Sequence, residues 1–408
     1  MNTKVFHHRL RRLCALVIGF VFLLAGIFKL LDPVGAGLVV EEYYRFLHLG
    51  FLMPTAKTAA VLLALAESLL GAALITGVWK KVVAILTGIL IVFFTIITLL
   101  LAIFNPEMEC GCFGEVIHLS NFQTLLKNII LLALAAIAFI PLGSIGESRK
   151  KKIIPFLIVA VSLAGFTLYS LSSIPMVDYT AFTPGSELLS SKDGDGDDED
   201  EYTATFIYEK NGQEGAFTLD RLPDSTWTFV RTETIKINGP HVEDNVPILS
   251  FKDAEGNYKD EIAASGNVLA ISVYDTEKVS GESWTRISQA LDAARTAGFT
   301  PLLLTESSIQ KTESMDAIIP DIRESLSGFL YQADRKTLVS MNRSNGGATW
   351  FNDGQLIRKF TRKDLPSEEE LLSMTGDDPT ETMLRYSTRG RLRYQGFILY
   401  VLAMLLLF

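Results

Sequence analysis

The chain has 408 residues, of which 49% are hydrophobic and only 20% charged, with a mean hydropathy of +0.28. That composition excludes a disordered chain and an ordinary soluble domain, and the length favours two or three units. The formal charge of −9 is unevenly shared: residues 1–175 hold 14 Lys and Arg against 8 Asp and Glu, and the remainder holds 23 against 38. A membrane half joined to an acidic half follows. The acidic balance excludes nucleic acid as a partner, three cysteines exclude a disulfide-stapled scaffold, and no His/Cys cluster has zinc-ligand spacing, so no metal site is expected.

Six apolar runs are predicted to span a lipid bilayer, at 13–31, 58–79, 82–104, 129–145, 153–174 and 394–408. Crossing about 30 Å of hydrocarbon takes about 20 apolar residues. The last run has about 15 and is the weakest. Arg9, Arg11 and Arg12 before the first run would suit a signal peptide, but no small-residue cleavage site follows, so a retained helix is expected. These arginines, Lys80-Lys81 and Arg149 to Lys152 flank alternate ends of the spans. The excess of basic residues in cytoplasmic loops therefore puts the N-terminus inside and residues 177–390 outside. Arg385, Arg389, Arg391 and Arg393 beside the sixth run go against that rule.

The outward loop after the third run contains Glu109-Cys110-Gly111-Cys112-Phe113-Gly114. Cys110 and Cys112 are the candidate catalytic pair. Two cysteines separated by one glycine can close a strained, oxidising ring in a compartment that permits disulfides. A static disulfide, a tight glycine turn packed on the helix ends, and a metal site including His118 stand as alternatives. Glu107, Glu109 and Glu115 would disfavour thiolates by like-charge repulsion. Cys14, at the cytoplasmic start of the first run, reads as core. Three polar residues inside the spans form a candidate intramembrane site: Lys29, Glu67 and Asn128. Glu67 reads as a proton relay or counter-ion, or as a paired group that fixes helix packing. Lys29 reads as snorkelling to Asp32 or the interface, and Asn128 as a hydrogen bond between helices. Gly71, Ala72 and Gly77 are expected to allow close helix approach.

Residues 10–145 resemble the DoxX-like superfamily, most closely its MauE (methylamine utilisation) branch. The likeness is carried by Gly26-Ile27-Phe28-Lys29-Leu30-Leu31-Asp32-Pro33, Glu67-Ser68-Leu69-Leu70-Gly71 with Gly77, the Cys110–Gly114 loop and Lys127-Asn128. The resemblance implies a four-helix membrane protein of the bacterial inner membrane. It further implies disulfide formation during maturation of a periplasmic enzyme, an envelope dithiol or disulfide protein as client, and quinone as a redox partner.

After the fifth run, residues 190–201 read SSKDGDGDDEDE. The carboxylates fit an EF-hand at positions 1, 3 and 5, but Asp198 stands where glycine is needed and Ala204 where glutamate is needed. An acidic, self-repelling linker over 177–202 is expected. A β-rich segment, 203–245, follows, with a hairpin at Lys210-Asn211-Gly212 and a strand at 227–237. Strands are predicted at 246–251, 267–274 and 299–304. A helix is predicted at 283–298 with Trp284, Ile287, Ala290, Leu291 and Ala294 on one face. A helix at 334–345, a hairpin about Asn352-Asp353-Gly354 and a helix after Ser367 complete the pattern.

That order over 246–376 resembles a thioredoxin-like fold. The fold class expected is thus a membrane α-helical bundle joined to an α/β thioredoxin-like domain, with a basic segment and a sixth span at 377–408. The segment Asp275 to Ser280, where the redox Cys-x-x-Cys of such folds would stand, has no cysteine, and Arg343 to Gly347 has no proline. Thiol exchange by this domain alone is excluded. Two functions follow: a thiol–disulfide or quinone-linked redox component, or a non-catalytic anchored scaffold that recruits an envelope partner.

Overall fold

The computed structural model describes residues 3–106, 111–115, 119–188, 202–210, 213–218, 227–236, 247–306 and 326–406. It divides into two compact units, residues 1–179 with 388–408, and residues 180–387. Cys110, Glu107, Glu109, His118, the 190–201 acidic run and the Asn211-Gly212 turn lie outside the described residues.

The first unit is helical. Its elements are α1 (Thr3–Leu31), α2 (Pro33–Phe46), α3 (Ala56–Thr76), α4 (Lys80–Phe104), a short extended segment β1 (Cys112–Glu115), α5 (Asn121–Phe139) and α6 (Ile153–Ser172). Among the described residues, five stretches are long and apolar enough to cross a membrane: Phe6–Leu31, Gly50–Thr76, Lys80–Phe104, Asn121–Phe139 and Lys150–Ser172. Large apolar side chains stay exposed along these helices, among them Ile89, Phe93 and Ile96 on α4 and Ile154, Val161 and Leu168 on α6. Such a surface is costly in water and suits lipid. The interior holds Ile18, Leu30, Ala72, Ile91 and Leu131.

The tightest pairing is α1 on α3, and it is built from glycine. A Cβ on Gly26 would strike Ser68 Oγ and Ala64 O, and one on Gly71 would come within 2.6 Å of Gly19 O. The backbones therefore meet directly, which is how helices associate where lipid removes the hydrophobic drive. Gly26→Val is expected to cost at least about 1–3 kcal/mol through overpacking, read as a lower unfolding temperature of the detergent-purified protein. Gly71 makes the close approach expected of it. Gly77 does not: at φ +76° it is the C-terminal cap of α3, a left-handed position where side chains are strained.

Besides α1, which begins at Thr3 where the apolar run begins at residue 13, two elements differ most from the hydropathy reading. The fourth span is α5, starting at Asn121 and ending at Phe139, about eight residues before the expected start. Ser120 caps it, with its side chain accepting from Gln123 N and Gln123 reaching back to Ser120 N. This capping box begins a helix among polar residues that hydropathy passes over. Pro141 restricts Ile140 to extended backbone and closes the helix. The second difference is α2, which lies in what reads as an outward loop. Asp32 caps it, accepting from Val34 N at 3.2 Å and Gly35 N at 2.9 Å, with Pro33 in the first turn.

The second unit carries a six-stranded mixed sheet. Its strands are β5 (Phe251–Lys252), β6 (Asn267–Val273), β7 (Thr300–Thr305), β8 (Leu330–Ala333), β9 (Gly347–Asn352) and β10 (Gln355–Phe360). Their spatial order is β10-β9-β6-β7-β8-β5. The β6–β7 and β7–β8 pairs are parallel, while β9–β6, β10–β9 and β5–β8 are antiparallel. Helices α7 (Gly281–Thr296) and α9 (Glu368–Gly376) cover one face and α8 (Arg335–Met341) the other. Alternation along β6 sorts Leu269, Ile271 and Val273 into the core with Trp284, Ile287 and Leu291, and Val268 and Ala270 into the core with Leu338 and Met341. The predicted inward face of α7 is buried as expected. The strand expected at 246–251 is reduced to Phe251–Lys252.

Residues 185–188 fall inside the expected acidic linker, yet they pair with the sheet. Gly185 N donates to Leu356 O at 2.7 Å and Leu188 N to Gly354 O at 2.9 Å. They cover the free edge of β10, an edge that would otherwise invite other strands. A separate three-stranded antiparallel sheet, β3-β2-β4, comprises β2 (Tyr202–Lys210), β3 (Gln213–Thr218) and β4 (Thr228–Lys236). The last helix, α10 (Pro379–Leu406), runs into the first unit, where the Phe397 ring stacks on Phe166 of α6 at 4.5 Å. Its apolar end, expected as a sixth span, is not among the five qualifying stretches.

Candidate functional site

Two of the three intramembrane polar residues form a direct pair. Lys29, in the last turn of α1, places Nζ 2.6 and 2.8 Å from the two carboxylate oxygens of Glu67 on α3. Lys29 is 8% exposed and Glu67 3%. Lys29 was expected to reach towards Asp32 or the interface. It turns inward because Asp32 is engaged in capping α2, whereas Glu67 faces it across the glycine crossing. Removing two charges from water is expensive, and only close, two-pronged contact offsets it. The ammonium also lies 5.8 Å from the centre of the Phe94 ring on α4.

Asn128 of α5 joins the same region. Its amide donates to Thr98 Oγ1 at 3.1 Å and to Phe94 O at 3.3 Å, both on α4. It therefore makes the interhelical hydrogen bond that its packing role predicts. Phe94 is the common neighbour of Lys29 and Asn128.

The glycine-rich loop closes over this cluster. Gly114 N donates to Gly111 O at 3.1 Å, forming a turn with Cys112 in it. A Cβ on Gly111 would approach Val39 of α2 to 2.6 Å, and one on Gly114, at φ +62°, would approach Phe28 O to 3.3 Å. The two glycines press the turn against α1 and α2. The tight-turn geometry weighed for this loop is thus present about Cys112. Cys112 is half-buried there, and both it and Lys127 of α5 lie within electrostatic range of Glu67. Helix α2, absent from the hydropathy pattern, is what gives the loop its second wall.

The arrangement holds one positive and one negative charge in contact, away from water. Cys14 is buried in the bundle core at the other end of α1. Among the described residues, no group of three His, Cys, Asp or Glu side chains is placed to bind a metal ion.

Every residue of this cluster falls within one matched region. Residues 8–141 match the family model of the methylamine utilisation protein MauE. The MauE-like region thus comprises α1 to α5 and the cysteine loop, and it is a multi-pass membrane region. Residues 202–238, which include the three-stranded sheet, match a domain of unknown function, DUF8463. No curated protein and no solved structure matches the chain.

Proposed function

We propose that the MauE-like region is a membrane component of envelope thiol–disulfide chemistry in the bacterial inner membrane, with Cys110 and Cys112 as the redox pair. The observation that carries this reading is the packing of the Gly111–Gly114 turn, with Cys112 in it, against the Phe28–Lys29 backbone of α1, whose Lys29 is paired with buried Glu67, inside the MauE-matched region. In the forward direction a client dithiol is oxidised to a disulfide while the Cys110–Cys112 disulfide is reduced to two thiols. The thiols are reoxidised by passing two electrons and two protons to a membrane quinone. Glu67 is the carboxylate near Cys112 that can accept a proton, and Lys29 holds its charge in an apolar interior.

The flanking basic residues orient the N-terminus to the cytoplasm and the cysteine loop and sheet domain to the periplasm. In this reading the sheet domain is a thioredoxin-like module without the redox motif, which binds the client. The strand order β10-β9-β6-β7, with α7 crossing between parallel β6 and β7, supports that reading. Where such a module would carry its cysteines, Tyr274 N and Asp275 N both donate to Asn345 Oδ1, at 3.0 and 3.1 Å. Asn345 Nδ2 donates to Asp275 O at 2.7 Å. These bonds occupy the segment with structure instead of chemistry, and they favour a second reading. In that reading the protein is a membrane-anchored scaffold that recruits an envelope partner without catalysis.

Trapping thiols in growing cells separates the two. The relay requires the Cys110–Cys112 pair to accumulate reduced when respiration is blocked and to return oxidised on its release. A pair that stays fully oxidised throughout ends the relay and leaves the scaffold, whose mark is loss of function on deleting residues 247–376.

A further inference from the structure

The opposite end of α1 carries a second site that the thiol chemistry does not use. A cavity of about 120 Å³ opens among α1, the α3–α4 turn, the end of α5 and the segment before α6. Five basic side chains line it: His8, Arg11, Arg12, Lys80 and Arg149. Among the described residues, no Asp or Glu lines it. Position 12 lies about 25 Å from position 29 along the helix, at 1.5 Å per residue.

The convergence is tight. From the point where a Cβ on Gly77 would sit, Lys80 Cε is 3.3 Å away, Arg149 Cδ 3.5 Å and Arg12 Nη1 3.6 Å. Gly77 caps α3 in a left-handed conformation, so the three cations approach one bare stretch of backbone. Arg12, Lys80 and Arg149 lie within electrostatic range of one another. Hydrogen bonds hold the walls in place: Arg149 N donates to Gly77 O at 2.9 Å, and Lys80 N to Ser148 Oγ at 3.2 Å. Arg11 is committed elsewhere, to Ala138 O at 3.1 Å and Pro141 O at 3.2 Å, where it neutralises the carbonyl end of α5.

Like charges gathered in a partly desolvated recess repel, and they do so more strongly than at an open surface. An oxyanion with several acceptor oxygens turns that repulsion into attraction, and guanidinium groups suit it through paired N–H donors. We propose that this cavity is a binding site for a phosphate-bearing anion, held by Arg12, Lys80 and Arg149. The phosphate group is supplied either by an anionic phospholipid headgroup at the membrane face or by free phosphate. Both present the same oxygens to the same cations.

The test uses the full chain purified in a neutral detergent. Unfolding temperature is followed against inorganic phosphate, with chloride at equal ionic strength as control. In parallel, native mass spectrometry counts bound phosphatidylglycerol against phosphatidylcholine. Binding to the folded state raises the unfolding temperature in a saturable manner. A rise with phosphate but not chloride identifies a free anion. Retention of phosphatidylglycerol alone identifies a headgroup. Either supports the site, provided that R149Q weakens the effect about tenfold, as loss of one charge-assisted contact implies, and that K80Q/R149Q removes it. R149Q changes an exposed residue outside the spanning helices, so it remains informative if the double variant fails to fold. The proposal is overturned if neither arm shows saturable binding, or if R149Q binds as the unsubstituted protein does.

Discussion

Cys112→Ser is expected to reduce client oxidation to background, a loss of at least about 100-fold, because the thiolate is the reagent in disulfide exchange and a hydroxyl cannot replace it. Cys110→Ser should do the same, since in the proposed relay each sulfur is half of one bond. Cys14→Ser is the control: Cys14 is buried in the bundle core away from the loop and should leave activity unchanged. The measurement is the rate at which membranes containing each variant oxidise a reduced client protein. Full activity in Cys112→Ser would remove the relay and favour the scaffold.

Lys29→Met is expected to destabilise the bundle by about 3–5 kcal/mol, because it strands Glu67 as an uncompensated charge in the interior. Lys29→Met combined with Glu67→Leu should recover most of that loss, since two apolar side chains of similar volume replace the pair without leaving a charge. Unfolding curves of the detergent-purified single and double variants give the coupling directly. A single-variant cost below about 1 kcal/mol would mean that water reaches the pair. The double variant also separates stability from function: if it folds and still oxidises client, the proton-holding role given to Glu67 fails.

Legibility followed the physical range of each signal. The spans could be read because each needs an unbroken apolar run, and periodicity alone exposed the buried face of α7 from Trp284 to Ala294. The start of α5 was hidden because its first turn, Asn121-Phe122-Gln123-Thr124, is polar; the Ser120 and Gln123 capping signal was there to be used. Helix α2 was hidden for a related reason: glycines and acids interrupt it. The pair Asp32-Pro33 that opens it is a helix-start signature, and it also ends the stretch Gly26 to Pro33 that carries the family likeness.

The site was half legible. Each of Lys29, Glu67, Asn128 and Cys112 stood out singly as polar or reactive in an apolar setting. The three spanning residues could be grouped as one candidate site, but the direct contact of Lys29 with Glu67 was not legible, because they are 38 residues apart in the chain and meet only through the crossing of two helices. The acidic run after the fifth span showed the opposite bias. Composition extended the linker to residue 177, but Gly185 and Leu188 use backbone groups to bind β10, and backbone pairing leaves little mark on composition.

The glycine contacts at positions 19, 26 and 71 also decide how the bundle responds to its surroundings. Where two main chains touch without side chains between them, there is no rotamer to swing and no cushion to compress. Bilayers of different thickness can tilt such a helix pair as one body, but they do not change the spacing inside it. The backbones that carry Lys29 and Glu67 are thereby held at one spacing.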